Sequence, residues 1–165
     1  MKHRTRAFLA GCLAALVAAP AFAACPIELA IYRDKDGVAE IDFRPAEHKE
    51  TATNQFRLLL PGDVALSGAV VWTNDLKRPV GMLQYNCPDG EASPEALVDC
   101  TVWQGVVYSA SQDGKAGLLP PEGQDAPKSL ILADLAFDLS VAEPLKDKLP
   151  KALPSDIFEL SGCQE

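Results

Sequence analysis

Ile27-Glu28-Leu29-Ala30-Ile31-Tyr32-Arg33-Asp34-Lys35-Asp36-Gly37-Val38-Ala39-Glu40-Ile41-Asp42-Phe43-Arg44 consists of two alternating runs around an Asp-Gly turn. In the first run Ile27, Leu29 and Ile31 alternate with Glu28, Ala30 and Tyr32. In the second, Ala39, Ile41 and Phe43 alternate with Glu40, Asp42 and Arg44. A period of two with one apolar face marks a half-buried strand. Asp36-Gly37 supplies the positive φ that a tight connection between such strands needs. The stretch therefore predicts an antiparallel hairpin, and the rest of the chain repeats the pattern.

Phe56, Leu58 and Leu60 alternate with Gln55 and Arg57 before the turn residues Pro61-Gly62-Asp63. Val64 to Trp72 is a further run, Thr73-Asn74-Asp75 turns the chain, and Val80 to Tyr85 reads as the returning strand. Asn86 to Asp99 reads as a loop flanked by Cys87 and Cys100, with one helical turn expected at Pro94 to Val98. Thr101 to Tyr108 is rich in β-branched and aromatic residues, as a strand requires. Asp113-Gly114 turns it into a short partner around Lys115 to Leu119, and Pro120 to Pro127 is a loop. Leu130 to Val141 fits both periods: its apolar residues alternate, yet Ile131, Leu135 and Leu139 also recur at helical spacing. Pro144, Pro150 and Pro154 divide the next stretch, and Ile157 to Leu160 reads as the last strand. About eight short strands in sequential hairpins imply a mainly β fold. The expected architecture is an antiparallel meander closing as a sandwich or small barrel, with at most one or two short helices.

Upstream of the hairpin, Lys2, Arg4 and Arg6 precede an apolar run from Ala7 to Ala19 and the small-x-small triplet Ala21-Phe22-Ala23. That order is the signature of a cleaved secretory signal, residues 1–23, leaving one domain over 24–165. An exported, periplasmic protein is expected. Cleavage removes three basic and no acidic residues, which moves the formal net charge from -8 to -11. Such a chain has no basic patch for nucleic acid or anionic lipid, whereas a basic protein or a small ligand is compatible with it. No other apolar run approaches the ~18 residues of a membrane span, since Asp134 interrupts Leu130 to Ala136. A lipid anchor is not expected: the apolar core before Cys12 is short, and lipidating Cys25 would leave an odd number of thiols.

Cleavage also discards Cys12, leaving Cys25, Cys87, Cys100 and Cys163, an even set suited to two disulfides in an oxidising compartment. Three connectivities exist for four cysteines. The favoured one is nested, with Cys87–Cys100 tying the base of one loop and Cys25–Cys163 joining the ends, which often lie close in compact domains. The segments Ala24-Cys25-Pro26-Ile27-Glu28 and Ser155-Asp156-Ile157-Phe158-Glu159-Leu160-Ser161-Gly162-Cys163 are similar to small exported bacterial proteins of unassigned function. That resemblance covers only the two ends; it supports the terminal pairing and implies no activity.

Residues with catalytic chemistry are sparse. His48 is the one histidine of the mature chain and sits in the polar stretch Glu47-His48-Lys49-Glu50. There is no Cys-x-x-Cys, no paired histidine spacing and no Gly-x-Ser-x-Gly elbow, so no metal site and no cofactor are expected. Asp34-Lys35-Asp36-Gly37 resembles part of a calcium loop, but Tyr32 and Phe43 occupy positions where acidic ligands belong. Trp72, Tyr85, Trp103 and Tyr108 lie on or beside three predicted strands; sharing a face they would line a ligand pocket or an interface, and otherwise they fill a core. The functional expectation is a small exported binding or interaction module, non-enzymatic. The alternatives are an inhibitor of a basic cell-envelope enzyme, a small-molecule carrier, and a carboxylate-based hydrolase.

Overall fold

The computed structural model describes residues 25–47, 52–73, 78–88 and 93–165; the expected leader and His48 lie outside these. Among the described residues there are nine strands: β1 (Ala30–Asp34), β2 (Glu40–Arg44), β3 (Asn54–Leu60), β4 (Val64–Thr73), β5 (Arg78–Gln84), β6 (Thr101–Ala110), β7 (Ala116–Leu118), β8 (Ser129–Leu132) and β9 (Ile157–Cys163). Two short helices interrupt them, α1 (Pro94–Cys100) and α2 (Leu135–Val141). The hairpins β1 to β6 run in sequence, and β9 returns antiparallel to β1 while β8 bridges β9 and β6. Eight strands thus close an antiparallel barrel. β7 is an extra strand that pairs with the upper half of β6, above the part of β6 that pairs with β5.

Alternation decides which side chains enter the barrel. Ile41 and Phe43 of β2, Phe56, Leu58 and Leu60 of β3, and Val64, Leu66 and Val70 of β4 are all buried, in the phase the sequence predicts. β1 departs from that phase. Ile27–Leu29 folds as a 3-10 turn after Pro26, and the strand then buries Ala30 and Tyr32, with Ile31 only half-buried. The reason is tertiary: the Tyr32 ring packs edge-on against Phe43 at 5.9 Å, and its hydroxyl donates to the Pro127 carbonyl at 2.8 Å. Burial pushes the Tyr32 phenol well above its ordinary pKa, so it stays a donor. A bulge at Ile31/Tyr32 opposite β9 accommodates the changed phase.

Asp34-Lys35-Asp36-Gly37 is a hairpin turn. The buried Asp34 carboxylate accepts from the Ala39 and Asp36 main-chain N–H groups, and Gly37 takes φ 66°. Leu130 to Val141 adopts both structures that its pattern allows, strand β8 followed by helix α2. Asp134 makes the change of direction at φ 61°, and the Asp156 carboxylate accepts from the N–H groups of Asp134 and Ala136.

Disulfides join Cys25 to Cys163 and Cys87 to Cys100, the nested arrangement. The first fastens the chain ends at the upper rim, where β1 begins and β9 finishes. The second fastens the α1 loop at the lower rim, where β5 finishes and β6 begins. α2 and the following 3-10 turn Glu143–Leu145 lie at that same lower rim, and Leu135, Leu139 and Leu145 join the buried core there. Leu119 and Ile27 join it from the upper connections.

Candidate functional site

The four aromatic residues singled out in the sequence do not share one site. Trp103 is 2 % exposed, inside the barrel, with its indole N–H donating to the Ala133 carbonyl at 2.9 Å. Tyr85 packs at the lower edge of the core, and the Lys148 ammonium stands 5.9 Å from its ring centre. Trp72, near the upper rim, is 42 % exposed, and Tyr108 on the outer wall is 39 % exposed. No common pocket gathers the four.

Packing inside the barrel explains Trp103. Gly81 of β5 and Gly105 of β6 are register partners, and the Trp103 indole lies over both. A side chain at either position would meet indole carbons within 3 Å. Phe56 occupies the space above its partner Gly68 in the same way. Large rings laid on glycine backbone fill the interior of a barrel only eight strands around. The interior is therefore core, and the concavities described are on the outside.

One of these is a notch of about 1010 Å³ near the upper rim, where β9 runs past the start of β8 and faces the β6–β7 ribbon across residues 125–128. Its lining is mixed, with Lys115, Lys128 and Asp125 beside serines, prolines, Leu118 and Leu160. The Lys115 ammonium is held by Asp113.

A second concavity runs along the lower half of β6. β8 stops at Leu132 opposite Val107, so below that point no strand among the described residues covers that edge of β6, and α2 packs there instead. Two adjoining grooves result, of about 690 and 480 Å³, which share Gln104 and Asp138. α1 contributes Leu97 and Val98, α2 contributes Phe137 and Val141, and the outer face of the sheet contributes Met82, Val106 and Tyr108. Val98, Phe137 and Val141 are 73 %, 65 % and 60 % exposed. Asp99, Asp134, Asp138 and Glu143 also line the trough, and no lysine or arginine does so among the described residues. Loss of water, then the nearby carboxylates of Asp134 and Asp156, raise the Asp138 pKa.

The alternating pattern hid this trough because its residues come from separate elements. One local signal was present: α2 is apolar on two faces, Leu135 and Leu139 turned into the core and Phe137 and Val141 turned out. A helix needing only one buried stripe has no structural use for the second pair.

Other polar groups serve the fold. Asp42 lies on the outside of β2 yet is almost buried, accepting from Arg57 at 2.6 Å, Arg44 at 3.2 Å and the Gln164 amide at 2.8 Å. The hydroxyls of Ser109, Ser140 and Ser161 donate to main-chain carbonyls rather than to a base. Among the described residues no group of histidine, cysteine and carboxylate side chains is arranged to hold a metal ion. None of their helices is long and apolar enough to cross a membrane. No protein family, curated protein or solved structure matches the chain, so the trough is assigned from its own geometry.

Proposed function

We propose that this protein is an exported, periplasmic binding module that recognises a protein partner on its outer wall and catalyses no reaction. The observation carrying this reading is the contrast between a barrel filled by its own side chains and a trough of exposed apolar residues outside it. Exposed apolar residues gathered in one rimmed groove, rather than scattered singly, suit an interaction site. Two disulfides suit a scaffold working in an oxidising compartment.

The test is site-specific photo-crosslinking in the native host, with the photoreactive residue placed in turn at Phe137, Trp72 and Leu118, all exposed. A discrete protein adduct from at least one position is expected. Absence of any adduct, together with a small molecule retained by the purified protein in native mass spectrometry, would replace this reading with the carrier.

The excess of acidic residues favours one more specific version, inhibition of a basic cell-envelope enzyme. Retention of a cationic lysozyme on immobilised protein at low salt, lost at high salt, is its expected result; no retention at low salt removes it.

A further inference from the structure

The trough between α1, α2 and the outer face of β6 has two properties that together select an occupant. Its walls carry an apolar stripe beside the polar Gln84, Thr101 and Gln104 of the sheet, with Val98, Phe137 and Val141 free of any partner in the core. Its polar lining carries charge of one sign only, from Asp99, Asp134, Asp138 and Glu143. Lys146 reaches Glu143 from the next turn at 3.5 Å, and that pair is exposed and weak. A second copy of the chain would bring the same carboxylates against these, so self-association on this face is opposed by charge. A neutral apolar segment would bury Asp138 further without compensating it. Both costs vanish for a segment that is apolar on one side and cationic at its margins.

Resting on the binding-module reading, we propose that this trough is the docking site for a basic, amphipathic segment of the partner protein. Its apolar side chains lie on Val98, Phe137 and Val141, and its lysines or arginines pair with Asp99, Asp134, Asp138 and Glu143. The arrangement is that of an amphipathic segment laid in a hydrophobic groove, with the acidic margin setting orientation and speeding encounter.

The probe is a fluorescein-labelled 14-residue peptide of leucine and lysine with the leucines on one helical face, followed by anisotropy at 20 and 150 mM salt. Two control peptides are used, a scrambled sequence of the same composition and a version with glutamate for lysine. The expected result is binding of the amphipathic basic peptide at least tenfold tighter than either control. The triple variant V98S/F137S/V141S should weaken it at least tenfold, and D134N/D138N should weaken it and flatten its salt dependence. Because all three apolar positions are largely exposed, the triple variant should keep its circular dichroism spectrum and melting behaviour. Equal binding of the scrambled peptide, equal binding of the glutamate peptide, or an unchanged affinity in the folded triple variant would overturn the proposal. So would a dimer in sedimentation that the triple variant abolishes, which would give the face to a second copy. A host-protein adduct from Trp72 or Leu118 but not from Phe137 would overturn the docking site while leaving the binding module standing.

Discussion

Gly81→Ala isolates the contact that makes the barrel interior solid. A β-carbon at Gly81 would sit 2.8 Å from Val107 Cγ2 and 2.9 Å from Trp103 Cζ3. Neither neighbour is a free side-chain end: Val107 is buried, and Trp103 is held by its bond to the Ala133 carbonyl. Something must therefore shift by several tenths of an ångström, and overpacking of this kind costs about 1–3 kcal/mol. For a domain of this size that is a fall in Tm of roughly 4 °C per kcal/mol. Gly162→Ala is the matched control, since its nearest atom outside the chain neighbours is Ile31 Cδ1 at 3.8 Å and its φ is not positive. There the smaller freedom of the unfolded chain should leave stability unchanged or raise it by about 0.4–1 kcal/mol. Trp103→Phe removes the ring atoms that the added methyl group would strike while leaving Val107 in place, so combining it with G81A should give a partial rescue of about 1 kcal/mol of coupling. The assay is urea unfolding followed by far-UV circular dichroism, with both disulfides intact. If G81A lies within ~0.3 kcal/mol of the unmodified protein, or the cycle shows no coupling, the interior is not packed as described.

Further expectations concern caps, crosslinks and charge. Asp156→Ala removes the acceptor for two N–H groups at the start of α2 and should cost about 1–2 kcal/mol in urea unfolding, more than Asp125→Ala. Replacing both Cys25 and Cys163 by Ser should cost more than replacing Cys87 and Cys100. On the chain-entropy relation the 138-residue separation corresponds to about 5 kcal/mol and the 13-residue one to about 3, to be checked by thermal unfolding. The raised pKa of Asp138 means that the folded chain holds this proton more tightly than the unfolded chain does. Its contribution to stability therefore falls as pH rises from the ordinary carboxylate value through the raised one. Asp138→Asn should accordingly raise Tm slightly at pH 7, with the difference disappearing below about pH 3, where both states are protonated. A lower Tm for D138N at pH 7 would contradict the assigned environment.

Apart from the two apolar faces of α2, the surface trough left no mark in the sequence, for a different reason from the β1 phase. Val98, Phe137 and Val141 are ordinary apolar residues in the sequence, and only the early stop of β8 brings α2 beside the edge of β6. The four aromatics looked like a candidate pocket because strand periodicity places them on strands without saying which way each ring turns or how far along the barrel it lies. Trp103 and Tyr108 share one strand and face opposite sides of it.

By itself the amino-acid sequence determined what depends on neighbours along the chain. That includes the alternation of β2 to β4, the turn at Asp34 to Gly37, the helical turn at Pro94, and the closing of one loop by Cys87 and Cys100. Each arises from side-chain period, φ preference or short spacing along the chain. Only the tertiary structure decided what depends on distant partners. Tyr32 enters the core because Phe43 and the Pro127 carbonyl receive it, 95 residues away in the latter case. Leu130 to Val141 divides into strand and helix because pairing with β6 ends at Leu132 and Asp156 caps the start of α2. The acidic apolar trough exists because that helix fills a gap in the wall without covering its own outer face. Its energetic logic lies in contacts between elements, which no periodicity within one element records.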